Sequence, residues 1–439
     1  MNLVAEIRTI ESNPAKLEKL YQNTKRKNKT EDFQVAIETC YEEDRDNLLL
    51  AAWHYRLQGE VVIEEEHHHA VNWALALPLS ILTGLIFWYL SDFDAFTYLD
   101  LIPTLVLWWS PIATMSALIF LSFTAKKNQM CAVALGLGLL STAAYAMLLA
   151  PSLGVDWKIN QYLILAAIHI PLLSWIALGI MVLGFKSNPE ERFAFLIKSI
   201  EVMITAGLYL IAGVVLGVIT IGMFEALSIT LPEIWMRLIV AGGFGLLPVL
   251  AVATAYDPTK PPLEQNFDQG LSKFIATMMR LLLPMTLGVL LIYMFVIPFK
   301  FLEPFQNRDV LIVYNIMLFA IMGLLIGATP ISGDDLSSNL QKWLRAGIIT
   351  VAILAVLVSV YALSAVIYRT IDGGMTINRS MIIGWNTINI AVLLMLIYKQ
   401  FKFGYERWID SLHAVFSLAR TAYLVWALIL VLTTPWLFR

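Results

Sequence analysis

Residues 70–90 read Ala70-Val-Asn-Trp-Ala-Leu-Ala-Leu-Pro-Leu-Ser-Ile-Leu-Thr-Gly-Leu-Ile-Phe-Trp-Tyr-Leu90, a stretch without one charged side chain. As a helix rising 1.5 Å per residue it is about 30 Å long, the thickness of a bilayer's hydrocarbon core. Its apolar side chains fall on every face, so it predicts a membrane span rather than a surface helix. Directly before it stands Glu64-Glu65-Glu66-His67-His68-His69. The change from charge to hydrocarbon at Ala70 therefore divides the chain.

Downstream the pattern repeats. Apolar blocks of spanning length fall near 99–123, 129–150, 161–185, 199–223, 236–256, 274–298, 309–330, 346–368, 380–400 and 411–436. Only a helix satisfies every backbone amide inside such a block, which excludes strands there. The expected fold class is all-α: a polytopic transmembrane helix bundle of about eleven spans over 70–439, behind a small soluble helical domain over 1–69. Composition agrees, with 59% hydrophobic and 14% charged residues against roughly 25% charged in soluble domains, and a mean hydropathy of +0.72.

Upstream, residues 1–69 hold nine Lys/Arg and fourteen Asp/Glu, a net charge of −5, while the rest of the chain carries +2. Leu3, Ile7 and Ile10 share a helical face, and Pro14 reads as the first residue of a second helix. Thr30-Glu31-Asp32 offers an N-cap with an acidic first turn, followed by Phe33, Ala36, Ile37, Cys40 and Tyr41 at helical spacing. A further helix is expected over 46–56, ending before Gly59. Met1–Ser12 mixes acids and bases without an apolar core, so no signal peptide is expected. The two cysteines, Cys40 and Cys131, lie on opposite sides of the boundary and make no disulfide framework.

Basic residues near the spans set orientation. With the N-terminus inside, the inner loops hold twelve Lys/Arg, among them Lys126, Lys127, Lys186, Arg192 and Lys198; the outer loops and tail hold seven. A cytoplasmic N-terminus and an outer C-terminus follow. The formal charge of −3 gives no footing for a nucleic-acid partner. Expected partners are membrane lipids and a cytoplasmic protein contacted through residues 1–69.

Ionisable groups at membrane depth are the candidate functional residues, because each is costly unless paired or hydrated. His169 stands mid-span beside Pro171 and reads as a packing residue or a proton carrier. Glu201, Arg280 and His413 lie near span ends, where snorkelling is the plain reading. Arg280 shares a helix face with Pro284. Arg420 is deeper and calls for an internal partner such as Glu201 or Glu225. Gly213/Gly217, Gly323/Gly327 and Gly242-Gly243-x-Gly245 before Pro248 allow close helix packing, and the last set also fits a broken helix lining a cavity. Glu65 and His69 are the weak metal candidates; their ligand set is incomplete, so neither a metal nor a cofactor is expected.

Gly374-Met375-Thr376-Ile377-Asn378-Arg379 stands between two late spans, downstream of Arg280-Leu-Leu-Leu-Pro284 and Tyr293. The stretch resembles the 4153 family of bacterial membrane domains of unknown function, best over residues 271–402. Gly373 departs from the aromatic residue usual in that family. The resemblance implies a bacterial cytoplasmic membrane and no reaction. It marks Gly374, Thr376, Asn378 and Arg379 as candidate ligand residues beside a plain hairpin reading. No phosphate loop, zinc spacing or nucleophile elbow occurs, which argues against an enzyme. The expected function is a non-catalytic membrane scaffold or sensor. The alternative is a transporter, channel or lipid-handling protein with a cavity near Gly242–Pro248 and Arg280.

Overall fold

The computed structural model describes residues 3–11, 13–26, 30–67, 71–184, 186–333 and 336–439, with side chains for all of these except 23, 25, 26, 30, 31, 58–67 and 308. The chain forms two compact units, Met1–Ala70 and Val71–Arg439.

The first unit is four helices: α1 (Leu3–Ile10), α2 (Pro14–Arg26), α3 (Thr30–Glu43) and α4 (Leu48–His67). Pro14 is the first residue of α2, where its missing N–H costs nothing. The core is Ile7, Leu17, Phe33, Ile37, Cys40 and Leu50 around three rings. Tyr21, Phe33 and Trp53 meet with centroids 5.1–5.7 Å apart, and the Arg56 guanidinium lies 4.6 Å above Trp53. Helix α4 differs from expectation: it runs on through Gly59 to His67. One helical glycine costs only about 1 kcal/mol, which a helix of this length absorbs.

The second unit is an all-α polytopic bundle with eleven helical segments long and apolar enough to cross a membrane among the described residues. They are α5 (Trp73–Leu90), α6 (Thr104–Thr124), α7 (Gln129–Leu149), α8 (Asp156–Leu183) and α9 (Pro189–Ala226). Next comes a composite span of α10 (Glu233–Arg237), a π-helical turn (Leu238–Gly242) and α11 (Gly243–Ala255). After it come α12 (Gly270–Val296) and, past the four-residue α13 (Glu303–Gln306), which is no span, α14 (Arg308–Ala328), α15 (Ser338–Gly373), α16 (Ile377–Phe403) and α17 (Trp408–Leu437).

The second span starts at Thr104 rather than at 99. Leu99 and Asp100 take positive φ, and β1 (Thr97–Tyr98) pairs antiparallel with β2 (Ile102–Pro103), so the backbone turns before the helix can begin. Helix α9 starts earlier than its apolar block, because Asn188 caps it through a hydrogen bond from Glu191 N and Pro189 occupies its first turn.

The glycines near 242 make close packing rather than a break. A Cβ on Gly245 would stand 2.8 Å from Gly84 Cα, and one on Gly84 would stand 2.7 Å from Gly242 O, so α5 and α11 meet backbone to backbone. The chain stays helical through Gly242–Pro248, with the π turn absorbing the change of register.

Candidate functional site

Helices α6, α8, α9 and α11 do not close on one another completely. They enclose a cavity of about 410 Å³, within the size range of small-molecule sites. Helix α6 lines it from Trp109 to Leu121, α9 from Phe195 to Leu210, and α11 from Phe244 on, with Tyr256 one residue past its end. Twelve to fifteen residues of helix correspond to roughly 18–22 Å, somewhat more than half of a ~30 Å hydrocarbon core. Met203 and Leu210 of α9 and Phe244 of α11 line the cavity and are also exposed on the outside of the bundle. The cavity therefore opens sideways, onto the surface that lipid covers.

Prolines shape this space. Pro171 and Pro248 lie in its wall and Pro111 follows its Ser110. Each removes one N–H from its helix and releases the carbonyl four residues back. Small side chains keep the middle open: Ala113, Ala117, Ala206, Gly207 and Ala251. A Cβ on Gly207 would meet nothing within 4 Å.

The wall is hydrocarbon apart from two polar groups and Tyr256, whose hydroxyl donates to Lys260 O at 3.4 Å. Three hydroxyls face it from α6 and α8: Ser174 Oγ donates to Ser110 Oγ at 3.3 Å, one turn from Thr114. The other group is on α9. Lys198 Nζ donates to Glu201 Oε2 at 2.6 Å and to Ser272 Oγ at 3.3 Å, and Ser272 Oγ donates in turn to Glu201. The Phe267 ring lies 5.2 Å from Nζ. Lys198 is 5% and Glu201 9% exposed, so this is a buried, hydrogen-bonded ion pair. Beside it, Trp175 donates its indole N–H to Ser199 Oγ at 2.9 Å and stacks on Phe195. Lys127, between α6 and α7, donates Nζ to Val182 O at 2.8 Å at the end of α8; burial pushes its ammonium below the ordinary lysine range.

The sequence candidates fall at several places. Glu201 does not snorkel and does not pair with Arg420. Helix α9 begins ten residues before the apolar block, which buries Glu201 with Lys198 instead. Arg420 of α17 lies 5.9 Å over the Phe195 ring, and its Nη1 sits 3.0 Å from the Cβ position of Gly179. His413 is buried rather than snorkelling: it stacks on Phe193 at 4.1 Å and bonds Pro330 O through Nε2 at 2.9 Å. Arg280 is half-buried on α12 and is not part of the cavity wall.

His169 is locked between α8 and α16. Its Nδ1 bonds Leu165 O at 2.7 Å and its Nε2 meets Trp385 Nε1 at 3.0 Å. A carbonyl only accepts and an indole N–H only donates, so the ring is neutral with its proton on Nδ1. A second proton has no acceptor there.

The Gly374–Arg379 stretch forms the cap of α16. Thr376 Oγ1 accepts from Arg379 N, Arg379 Nη1 donates to Gly374 O, and Gly374 takes φ +76°. The Arg379 guanidinium covers Gly373 at 3.1 Å from its Cβ position, occupying the space an aromatic residue would need. Asn378 is half-buried beside them. Glu65 and His69 lie outside the residues whose side chains are described. Among the described residues no three His, Cys, Asp or Glu side chains gather as metal ligands.

Sequence reasoning missed Lys198, Ser110, Thr114, Ser174, Ser199 and Gly207. The one available signal was the i, i+3 spacing of Lys198 and Glu201, which brings opposite charges together at the start of an apolar run. In comparisons with known proteins, no family model, no curated protein and no solved structure matches the chain.

Proposed function

We propose that this is a lipid-handling membrane protein whose cavity between α6, α8, α9 and α11 holds one acyl chain. The observation that carries the reading is the cavity itself: hydrocarbon-lined, open sideways and deeper than one leaflet's half of the core. An ion transporter would need hydrated, exchangeable charge along its path. Here the one ion pair in the wall is satisfied internally, and His169 is tied into the packing. The chain enters between Met203, Leu210 and Phe244, and a polar head stays near Lys198 and Ser199.

Gly207→Phe tests this. The added ring enters open space, so the protein should keep its melting temperature and lose the lipid that co-purifies with wild type, counted by native mass spectrometry. Undiminished lipid in a folded variant would defeat the reading.

The count of basic residues in the loops supports a cytoplasmic N-terminus, and the resemblance of residues 271–402 to a bacterial membrane family supports a bacterial inner membrane. The separate acidic unit, with Val35, Leu48 and Tyr55 exposed, supports a second role in contacting a cytoplasmic protein. Cleavage of that unit by protease added outside intact cells would contradict both.

A further inference from the structure

The hydroxyls in the cavity wall are bonded differently from many others in the bundle. A hydroxyl on a membrane helix commonly donates to a carbonyl one turn back, which leaves nothing unmet in hydrocarbon. Ser80, Thr83, Thr205 and Ser359 do so at 2.6–2.9 Å. Ser110, Thr114 and Ser174 do not. Ser174 Oγ donates to Ser110 Oγ between two helices, and among the described residues the proton on Ser110 has no acceptor. Thr114 Oγ1 has no hydrogen-bond partner among them either, yet it is not one of the fully enclosed unpartnered atoms.

All three residues belong to the wall and are otherwise buried, Thr114 being 6% exposed. The surface left to its oxygen therefore faces the cavity. Hydroxyl protons withdrawn from water without an acceptor are unfavourable, so these two fit a ligand that brings the acceptor with it. That acceptor is uncharged. The ammonium in the wall, Lys198, is already neutralised by Glu201, and a carboxylate or phosphate held by hydroxyls alone would be an uncompensated buried charge. A bare hydrocarbon chain offers no acceptor at all. An ester carbonyl is neutral, its oxygen has two lone pairs, and it stands where an acyl chain joins its head. The position agrees, because Ser174 precedes Trp175, whose indole N–H holds Ser199 beside the place of the polar head.

We propose that Ser110, Thr114 and Ser174 form a carbonyl site that makes the cavity selective for ester-linked lipids over ether-linked ones. This rests on the acyl-chain reading above and adds the group by which the chain is recognised. The protons of Ser110 and Thr114, one turn apart on α6, are spent on the ester carbonyl oxygen, while Ser174 holds the Ser110 hydroxyl in place. The chain then runs past Gly207 toward Leu210 and Phe244. An ether lipid carries a methylene in place of that carbonyl and leaves both protons unmet.

The test uses the full chain, delipidated in neutral detergent and then offered equal amounts of dipalmitoyl phosphatidylcholine and its di-O-hexadecyl counterpart, which differ only in the carbonyls. Retained lipids are extracted and counted by mass spectrometry. Wild type should favour the ester about fivefold, the worth of one neutral hydrogen bond. Thr114→Val should bind the same total amount with a lower preference, Ser110→Ala with Thr114→Val should bring it near one, and Thr114→Ser should keep it. The melting temperature in lipid-free detergent checks folding, and Thr114→Val should not lower it because the lost oxygen bonds no protein group. Wild type that retains both lipids equally, or a folded Thr114→Val that keeps the full preference, overturns the carbonyl site and leaves the acyl-chain reading standing. Wild type that retains neither lipid overturns both.

Discussion

Lys198 and Glu201 stand one turn apart on α9, buried against Ser272 of α12. Removing one member of such a pair leaves the other charged in a medium that solvates it poorly. Glu201→Gln should therefore cost about 3–5 kcal/mol, read as lost thermal stability in detergent. The double variant Lys198→Met with Glu201→Leu should recover most of that, since hydrophobic replacements of similar volume carry no desolvation penalty. A double variant as unstable as the single would show that the pair does not act as a unit. The sequence made Glu201 visible as a charge near an apolar block, yet it hid the partner. Lys198 looked like a loop cation because the helix cap at Asn188 lies eleven residues before the apolar block at 199.

Among the elements, α5 and the composite α10–α11 span are fixed to each other at two levels. Inside the bundle the contact is glycine on glycine, at Gly84, Gly242 and Gly245. At the end of the span, Asp92 accepts from Arg237 at 2.7 Å. The Arg237 guanidinium, helped by the Ala95 N–H, holds the Asp92 carboxyl below the ordinary carboxylate range. Because the folded-state value is depressed, the contribution is complete above the unfolded value near 3.9, and it fades as pH falls through the folded value. The melting temperatures of wild type and Asp92→Asn should then differ at pH 6 and converge as pH drops below about 4. A difference that persisted unchanged at low pH would contradict this. The spans themselves were legible because length and hydropathy suffice to define a helix in lipid. Their ends were not, since caps such as Thr376 and Asn188 and the turn at Leu99-Asp100 are set by local hydrogen bonds and backbone angles.

At the scale of the whole molecule, the change from charge to hydrocarbon near residue 70 was legible in the sequence; the structure forms the units Met1–Ala70 and Val71–Arg439. The cavity was not legible in this way. Trp109, Trp175, Lys198 and Phe244 lie on four different helices, and no periodicity within one helix states which faces will converge. The stretch Gly242–Pro248 was a partial signal: its Phe244, Leu247 and Pro248 form part of the wall, while Gly242 and Gly245 pack against α5 instead. Arg280, expected beside that stretch, is not part of the wall. That wall leads to the central claim, that an acyl chain occupies the space between α6, α8, α9 and α11. The most direct measurement is photocrosslinking of the full-length protein in bilayers containing a phospholipid with a diazirine near the end of one acyl chain, with labelled peptides mapped by mass spectrometry. The account predicts labels on Ala113, Gly207, Leu210, Phe244 and Leu247, abolished by Gly207→Phe. Labels confined to outward-facing positions such as Ile211, Val215 and Ile219, and unchanged in that variant, would contradict it.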